Sequence, residues 1–309
     1  MSNLHTELLK QKYFSNQVGK IFLKSEKLHD YGLNILGCSD TVSFVVDGDG
    51  VPNIKNIFFC KEKYCPTCAK RKSLRAFANG MRLAEYLGKD YSFIHLVLTI
   101  QNCTIDDLRN TIKKLNTKSS ELFRSSLCKG IFKGILRNLE ITVNFDTGLF
   151  HPHLHCLVAV NHSYFTSRNY ISTKALRHAW ADLIGQTDSV VYMKKITEPE
   201  KAIAEICKYC VKPFDISESF KAAEYYEKLY FSTKHLRYVQ SFGVIREALK
   251  KLKIDFEELK ENFEDEEIDL DGFEDITEIF GGKEYVFRFD SKAGRYVRFG
   301  EVELSFLGE

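Results

Sequence analysis

The sequence predicts an α+β fold: a central antiparallel sheet with flanking helices, accompanied by a small four-cysteine zinc module. Three observations predict this class. Two apolar stretches enclose the turn sequence Asp146-Thr147-Gly148 and indicate a β-hairpin. Segments with helical periodicity stand before and after that hairpin. Three cysteines crowd into residues 60–68, and a fourth stands upstream.

The elements follow in chain order. A first hairpin is expected at 42–46 and 54–59, around Asp47-Gly48-Asp49-Gly50. Helices are expected near 66–87, 105–132, 172–184 and 220–229, and strands at 93–100, 135–145, 149–160 and 189–195. After Gly281-Gly282, the alternating segments 285–289 and 296–299 predict a terminal hairpin.

Length and composition set the organisation. A chain of 309 residues with 44% hydrophobic content has room for one sizeable core and a smaller module. We expect an N-terminal region with the cysteine module and a basic helix at 1–90, the main domain at 91–254, and an acidic linker with a C-terminal hairpin at 255–309.

Cysteine spacing and hydropathy indicate the cellular compartment in which the protein is expected. The nine cysteines are not spaced as an extracellular disulfide framework, so a reducing cytoplasm is expected. No apolar run approaches the roughly 18 residues of a membrane span, and residues 1–12 lack a signal-peptide core. We therefore expect a soluble, cytoplasmic protein that does not bind membranes.

The net charge of +2 hides an asymmetry along the chain. Residues 1–254 carry 38 Lys and Arg against 24 Asp and Glu, whereas residues 255–309 carry 6 against 18. The basic part suits a polyanionic partner. The acidic stretch 255–278 is interpreted as a solvated linker or helix; the alternative is a segment that screens the basic part from nonspecific DNA.

Three histidines alternate along the strand at 149–160. His151, His153 and His155 point their rings to one face, where imidazoles can share a cation. The alternative is that they are packing residues of a half-buried strand. Imidazoles alone do not identify the ion, whereas a carboxylate on the neighbouring strand would favour Mg²⁺ or Mn²⁺.

Glu140 is the candidate for that carboxylate. A two-residue Thr147-Gly148 turn would place Glu140 opposite His155 and Thr142 opposite His153. A three-residue loop would instead point Glu140 away unless a bulge restored the register. Its ligation is left open by the sequence.

A helix is expected from about Glu198, where Thr197 and Glu200 form a capping box, until Pro213. One side of this helix is apolar, and the opposite side gathers Glu205, Lys208, Tyr209 and Lys212. A tyrosine nucleophile near pH 7 needs an adjacent cation or base, and these lysines suit that role. The alternative is an ordinary amphipathic helix with a solvated face.

The cysteine block contains Cys60, Cys65 and Cys68, and the hairpin at 42–59 can bring Cys38 to them. Four thiolates would close a structural zinc site. The alternatives are a redox CxxC pair or unrelated buried thiols.

Basic side chains crowd this block and the helix that follows it. This density would place several cations along a phosphate backbone, and a solvated helix face is the alternative. The candidate DNA-contacting residues are Lys63, Lys70, Arg71, Lys72 and Arg75.

Four local motifs, in this order along the chain, resemble those of a known family. They are the cysteine block, the strand ending Thr-Ile-Gln-Asn at 99–102, the HPHLHCLV strand at 151–158 and the segment EICKYCVK at 205–212. The chain resembles the plasmid rolling-circle replication initiators (Rep proteins) of Gram-positive bacteria, members of the HUH endonuclease superfamily, over residues 35–245. The resemblance implies a ferredoxin-like nicking domain with about five antiparallel strands, the histidine strand central, helices on one face and the tyrosine helix beside it.

The resemblance also implies the chemistry. His153 and His155 would hold the divalent cation, Tyr209 would attack the scissile phosphate, and Glu205 would activate water in a terminating hydrolysis. The products would be a 5′-phosphotyrosyl link and a 3′ hydroxyl that primes synthesis. Origin DNA would be the substrate, with a host helicase and DNA polymerase as partners; the sequence does not tell whether a homodimer forms.

Two other functions are alternatives to the nicking of origin DNA by a replication initiator. A conjugative relaxase or single-strand transposase would keep the fold, but relaxases usually carry the tyrosine near the N-terminus, whereas Tyr209 follows the histidines here. A zinc-stabilised, non-catalytic DNA-binding regulator would use the histidines and the tyrosine only structurally. A metal-dependent hydrolase of small substrates is disfavoured because no nucleotide or sugar pocket motif accompanies the histidines.

Overall fold

The computed structural model describes residues 4–144, 146–186, 190–206, 222–256, 273–274, 276, 279 and 281–303, with the backbone alone at 4–8, 222 and 303. Most of the acidic segment 255–278 lies outside these residues. Two compact units divide the described chain. The first combines the residues up to Arg71 with 222–227 and those from 273 onwards, and the second contains 72–206 and 228–256. The division of roles among 1–90, 91–254 and 255–309 stays a prediction.

The helices are α1 (Leu4–Phe22), α2 (His29–Gly37), α3 (Pro66–Leu87), α4 (Leu108–Arg124), α5 (Thr173–Ile184), α6 (Pro199–Ile206), α7 (Ala222–Thr233) and α8 (Gly243–Leu252). The strands are β1 (Thr41–Val46), β2 (Pro52–Ile57), β3 (Tyr91–Thr99), β4 (Gly134–Asn144), β5 (Leu149–Asn161), β6 (Val191–Lys195), β7 (Val239–Phe242), β8 (Lys283–Asp290) and β9 (Arg295–Glu303). No helix in the described ranges is both long and apolar enough to cross a membrane.

The first unit contains a four-stranded antiparallel sheet in the order β2-β1-β8-β9. Both predicted hairpins are present, and they join because Val42 pairs with Phe287 across β1 and β8. Phe44 and Phe287 pack edge to face at 5.7 Å between ring centroids, and Phe273 lies 4.9 Å from Phe44. An aromatic cluster therefore links the two ends of the chain.

Helices α1 and α2 were not predicted. A side chain at Gly19 would lie 2.7 Å from Leu36, and one at Gly32 would lie 3.0 Å from the Gly19 carbonyl oxygen. The two helices can therefore approach closely only because both positions are glycine.

The second unit is built on a five-stranded antiparallel sheet in the order β6-β3-β5-β4-β7. The histidine strand β5 is central, as the resemblance implied, and all the neighbouring strands of this sheet run antiparallel. The predicted α+β class, with antiparallel sheets and flanking helices, is confirmed.

The helices of the second unit cover both faces of its sheet. Helices α3, α6 and α8 pack on one face, where Ile203 and Ile245 belong to the same buried core as Leu157. Helix α4 packs on the other face, where Arg137 of β4 donates to the Asn116 carbonyl oxygen. The implied arrangement with helices on one face was wrong, because the alternate residues of β4 and β5 are buried on both sides.

The predicted boundaries of α3 agree with the structure, whereas the predicted end of α4 does not. Helix α3 spans the predicted residues 66–87, and Ser172 caps α5 by accepting from the Ala175 amide. Helix α4 ends at Arg124 rather than 132, because Ser125 has an extended backbone and turns follow it. Strand β7 and helix α8 were not predicted.

Candidate metal centres

The hairpin of β4 and β5 places Glu140 beside the histidines. Glu140 pairs with His153, Thr142 with His151 and Asn138 with His155. The expected pairings of Glu140 with His155 and of Thr142 with His153 were wrong, because residues 145–148 separate the last pair, Asn144 and Leu149, in place of a two-residue turn. A shift of two residues keeps every side chain on its face, so Glu140 still faces the imidazoles.

Three side chains converge on one point. Glu140 Oε2 lies 2.8 Å from His155 Nε2 and 3.2 Å from His153 Nε2. All three residues are at least nine-tenths buried, and their candidate ligand atoms lie within 4.8 Å of one another. Burial raises the pKa of Glu140, but the contacts with the two imidazoles outweigh it and hold that pKa well below its usual range.

The second nitrogen of each ring is also in contact. His153 Nδ1 donates to the His151 carbonyl oxygen at 3.1 Å, and His155 Nδ1 lies 3.2 Å from His95 Nε2. Both Nε2 atoms are thereby directed at Glu140. Outer contacts of this kind orient imidazole ligands in metal sites.

The His151 ring does not join the cluster. Its Nδ1 donates to Asn102 Oδ1 at 2.5 Å, and burial together with the nearby His153 lowers its pKa. Among the described residues, the candidate metal group contains two of the three histidines and Glu140. Two imidazoles and a carboxylate are a donor set that fits a divalent cation.

Two residues around this cluster were missed from the sequence. Asn138 shares the face of Glu140 by strand periodicity, and this signal was available. His95 lies in a strand that was predicted, but its proximity to His155 depends on the pairing of β3 with β5, which the sequence does not reveal.

Helix α6 lies on the histidine face of the sheet. Ile203 and Ile206 enter the core with Leu136 and Leu157, and Asn138 Nδ2 donates to the Ile206 carbonyl oxygen at 2.8 Å. Glu205 is half-buried. The predicted continuation to Pro213, which carries Lys208, Tyr209 and Lys212, lies outside the described residues.

The four cysteines of the predicted zinc module lie together in the first unit. Cys68 Sγ is 3.5 Å from Cys38 Sγ and 3.7 Å from Cys60 Sγ, and all four sulfurs lie within 4.8 Å of one another. The Ser39 amide donates to the Phe58 carbonyl oxygen at 2.7 Å, so the β1–β2 hairpin brings Cys38 to the other three. This cluster has the ligand number and type of a tetrahedral zinc site.

Backbone and side-chain groups surround these sulfurs. The amides of Lys61 and Glu62 donate to Cys68 Sγ and Cys60 Sγ at 3.2 and 3.4 Å. The buried Lys12 Nζ donates to the Leu36 and Cys38 carbonyl oxygens at 2.7 and 2.9 Å. Burial lowers the pKa of Lys12, against the opposing effect of Asp40 and the thiols.

The sequence model of the replication protein family matches residues 52–297, which is most of the chain. The chain belongs to this replication protein family. It is 31% identical to a "Protein rep" of Streptococcus pneumoniae serotype 2, over 69% of this chain and 70% of that protein. A "Protein rep" of Staphylococcus aureus is 32% identical over 66% of this chain and 92% of its own length, and one of Bacillus amyloliquefaciens is 26% identical over 87% and 85%. No solved structure matches the chain.

In this member of the replication protein family, the predicted DNA-contacting side chains all keep partial exposure: Lys63, Lys70, Arg71, Lys72 and Arg75. The Arg71 guanidinium lies 3.5 Å from the Phe59 ring centroid. Tyr64, which stands among these cations in the sequence, is buried against Phe22 and Tyr226. DNA contact by the five cations stays a prediction.

Proposed function

We propose that this protein initiates rolling-circle plasmid replication as an HUH endonuclease that nicks origin DNA. The observation that carries the proposal is the buried cluster of Glu140, His153 and His155 on the central strands, with α6 packed on the same face, in a chain of the replication protein family.

The cluster fits a divalent cation, Mg²⁺ or Mn²⁺, with ligands from His153 Nε2, His155 Nε2 and a Glu140 oxygen. When bound there, such an ion supplies Lewis-acid polarisation of a phosphate oxygen. The contacts of His95 and His151 keep both imidazoles turned towards that position.

Tyr209 is the proposed nucleophile, carried by the segment that follows α6. The Tyr209 hydroxyl loses its proton to solvent, and its oxygen forms a bond to phosphorus. The bond from phosphorus to the 3′ oxygen breaks, and that oxygen takes a proton from solvent to become the 3′ hydroxyl. Lys208 and Lys212 are proposed to favour the phenolate and to neutralise phosphate charge. The hydrogen bond from Asn138 to the Ile206 carbonyl oxygen holds the chain three residues before Tyr209.

Glu205 is the proposed general base for termination. It would remove a proton from a water molecule that attacks the regenerated site, so that this last cleavage leaves no new covalent link. Glu205 is half-buried on α6, one residue before Ile206, whose carbonyl oxygen accepts from Asn138 on the histidine face.

The cysteine cluster is proposed to hold a structural Zn²⁺ through Cys38, Cys60, Cys65 and Cys68. Origin DNA is the proposed partner, double-stranded before nicking and single-stranded after it. A host helicase and a DNA polymerase are proposed as further partners from the family resemblance.

The proposal is tested by mixing purified protein with supercoiled DNA carrying its own replicon and Mn²⁺ or Mg²⁺. A denaturing gel then detects a covalent protein–DNA adduct, with Tyr209→Phe beside the wild type. Tyr170→Phe is the matched control, because Tyr170 is 49% exposed and belongs to no candidate site.

An adduct that disappears in Tyr209→Phe and persists in Tyr170→Phe supports the proposal. If neither ion yields a nick or an adduct while DNA binding is intact, the nicking proposal is wrong and the non-catalytic regulator replaces it.

A further inference from the structure

Two basic cavities meet at the edge strand β7 of the second unit. One, of about 540 Å³, is lined by Arg109 and Lys113 of α4 and by Arg237. The other, of about 460 Å³, is lined by Arg237 and by Arg246, Lys250 and Lys253 in and after α8. Arg237 lines both cavities, which lie on either side of β7, because Gln240 lines the first whereas Val239 and Ser241 line the second. The two basic cavities together are here called the β7-edge groove.

The charge of the groove is one-sided. Its described lining contains six Lys and Arg side chains but one acidic residue, Asp255. The whole chain, by comparison, carries 44 Lys and Arg against 42 Asp and Glu. Like charges gathered in a concave surface repel one another and raise the local concentration of anions.

The first cavity has a wall fixed from behind by a buried cation. Arg137 is 3% exposed; it donates to the Asn116 carbonyl oxygen at 3.0 Å and to Gln240 Oε1 at 2.6 Å. Asn116 and Gln240 both line the cavity. The polar wall is therefore held in place by the protein interior.

The basic side chains at the two ends of the groove are also held. Arg109 Nη1 donates to the carbonyl oxygens of Ser232 and Lys234 at 3.2 and 3.1 Å. Arg246 Nε donates to the Ser241 carbonyl oxygen at 2.8 Å, and its guanidinium lies 5.3 Å from the Phe242 ring centroid. Less side-chain freedom is lost when an anion binds to cations that are already ordered.

The groove begins close to the histidine cluster. Leu136 lines the second cavity and lies on β4 four residues before Glu140, on the same face of the sheet. At about 3.4 Å per strand residue, the separation is about 14 Å. Along one strand of B-DNA, where phosphates follow every 3.4 Å or so of helix axis, this corresponds to about four phosphates.

We propose that the β7-edge groove binds the phosphate backbone of DNA beside the nicking site. The six cations extend over two cavities around an edge strand, so an elongated polyanion matches them better than a compact phosphate does. The placement beside a scissile phosphate rests on the proposed function; the binding of DNA by the groove does not.

The test is a binding titration of a fluorescent origin duplex, followed by anisotropy between 50 and 200 mM salt in buffer without added Mg²⁺ or Mn²⁺. Arg237→Gln/Lys250→Gln removes two groove charges. Lys174→Gln/Arg177→Gln is the matched control, since both of its side chains are exposed on α5 in the same unit. Thermal unfolding by circular dichroism establishes that each variant is folded.

We expect the groove variant to bind at least tenfold more weakly at 100 mM salt. We also expect the slope of log K against log salt to become smaller by about two, since each phosphate contact contributes about 0.9. The control variant should match the wild type within about twofold.

Wild-type affinity and slope in a folded groove variant would overturn the inference. A loss of binding to inorganic pyrophosphate without any loss of DNA binding would likewise overturn it, in favour of a small-anion site. Because the proposed nicking needs Mg²⁺ or Mn²⁺, the outcome of this titration is independent of the adduct assay. A protein that never forms an adduct can still show the groove effect, and the reverse also holds.

Discussion

His95 Nε2 on β3 lies 3.2 Å from His155 Nδ1 on β5, and the two rings stack with their centroids 5.5 Å apart. His95 pairs with Leu157, so it is a diagonal neighbour of His155 on the same face of the sheet. The contact occupies one nitrogen of His155 and leaves the other directed at Glu140. His95 is therefore a positioning residue for the candidate metal centre.

Replacing His95 by alanine should weaken metal binding. We expect the Kd for Mn²⁺, measured by isothermal titration calorimetry, to rise by roughly 10- to 100-fold, the range for lost contacts behind a metal ligand. His162→Ala is the control, because His162 contacts Ser92 and the Lys89 carbonyl oxygen away from the cluster. An unchanged Kd in His95→Ala would show that the ring stacking has no role in ligand orientation.

Asn138→Ala should slow adduct formation through a displaced helix α6 while leaving metal binding nearly unchanged. The substitution leaves the Ile206 carbonyl oxygen without the donor it has in the wild type, which costs about 1 to 3 kcal/mol of stability. We expect adduct formation to slow by roughly tenfold or more, since small displacements of a nucleophile reduce its rate strongly. The Mn²⁺ affinity should stay within about threefold of the wild type.

The comparison for Asn138→Ala is Asn56→Ala, which removes an exposed contact with Glu284 in the first unit. Equal adduct rates in both variants would contradict the idea that the Asn138 contact places the segment carrying Tyr209.

Cys68→Ser should abolish stoichiometric zinc. Cys68 Sγ lies 3.5 Å from Cys38 Sγ and 3.7 Å from Cys60 Sγ, and an alcohol replaces a thiolate poorly as a ligand of Zn²⁺. Mass spectrometry of the metal content should give one zinc per wild-type chain and much less in the variant, with a lower Tm. Cys103→Ser changes a buried cysteine outside the cluster and should retain its zinc; equal zinc contents in the two variants would exclude the four-sulfur site.

Gly243→Ala should destabilise the second unit. Gly243 has φ +58°, and a side chain there would approach the Lys133 carbonyl oxygen to 2.1 Å. The left-handed backbone and this clash together should cost more than about 2 kcal/mol. Urea unfolding followed by the fluorescence of Trp180, the one tryptophan, measures the change.

Gly148→Ala provides the comparison, because its φ is +68° but no atom of the residues that the structure describes lies within 4 Å of the added carbon. It should cost only about 1 kcal/mol. Equal losses in the two variants would mean that backbone strain alone, without the close approach to Lys133, explains the requirement for glycine.

Strand periodicity explains how much of the metal centre could be predicted. Alternation along 151–155 placed the histidine rings on one face, and an even register shift kept Glu140 with them although its predicted partner was wrong. The sequence did not determine the loop length, and so it could not choose between Asn138 and Glu140 as the residue opposite His155.

The features that were missed depend on residues far apart in the chain. The β7-edge groove draws two cations from residues 109–113 and four from residues 237–253, which lie far apart in the sequence. The α1–α2 pair was missed because close helix contact at Gly19 and Gly32 replaces a strong apolar pattern. Local periodicity predicts individual helices and strands. The contacts between them depend on the three-dimensional arrangement of the chain.

The pairing of β1 with β8 has a consequence for synthesis of the protein. During translation, Val42 and its neighbours emerge about 245 residues before their β8 partners, so one edge of β1 waits unpaired while the intervening chain is made. A product that stops before residue 283 would keep that edge open and would lack Phe287 from the aromatic cluster. Premature termination should therefore yield an aggregation-prone fragment.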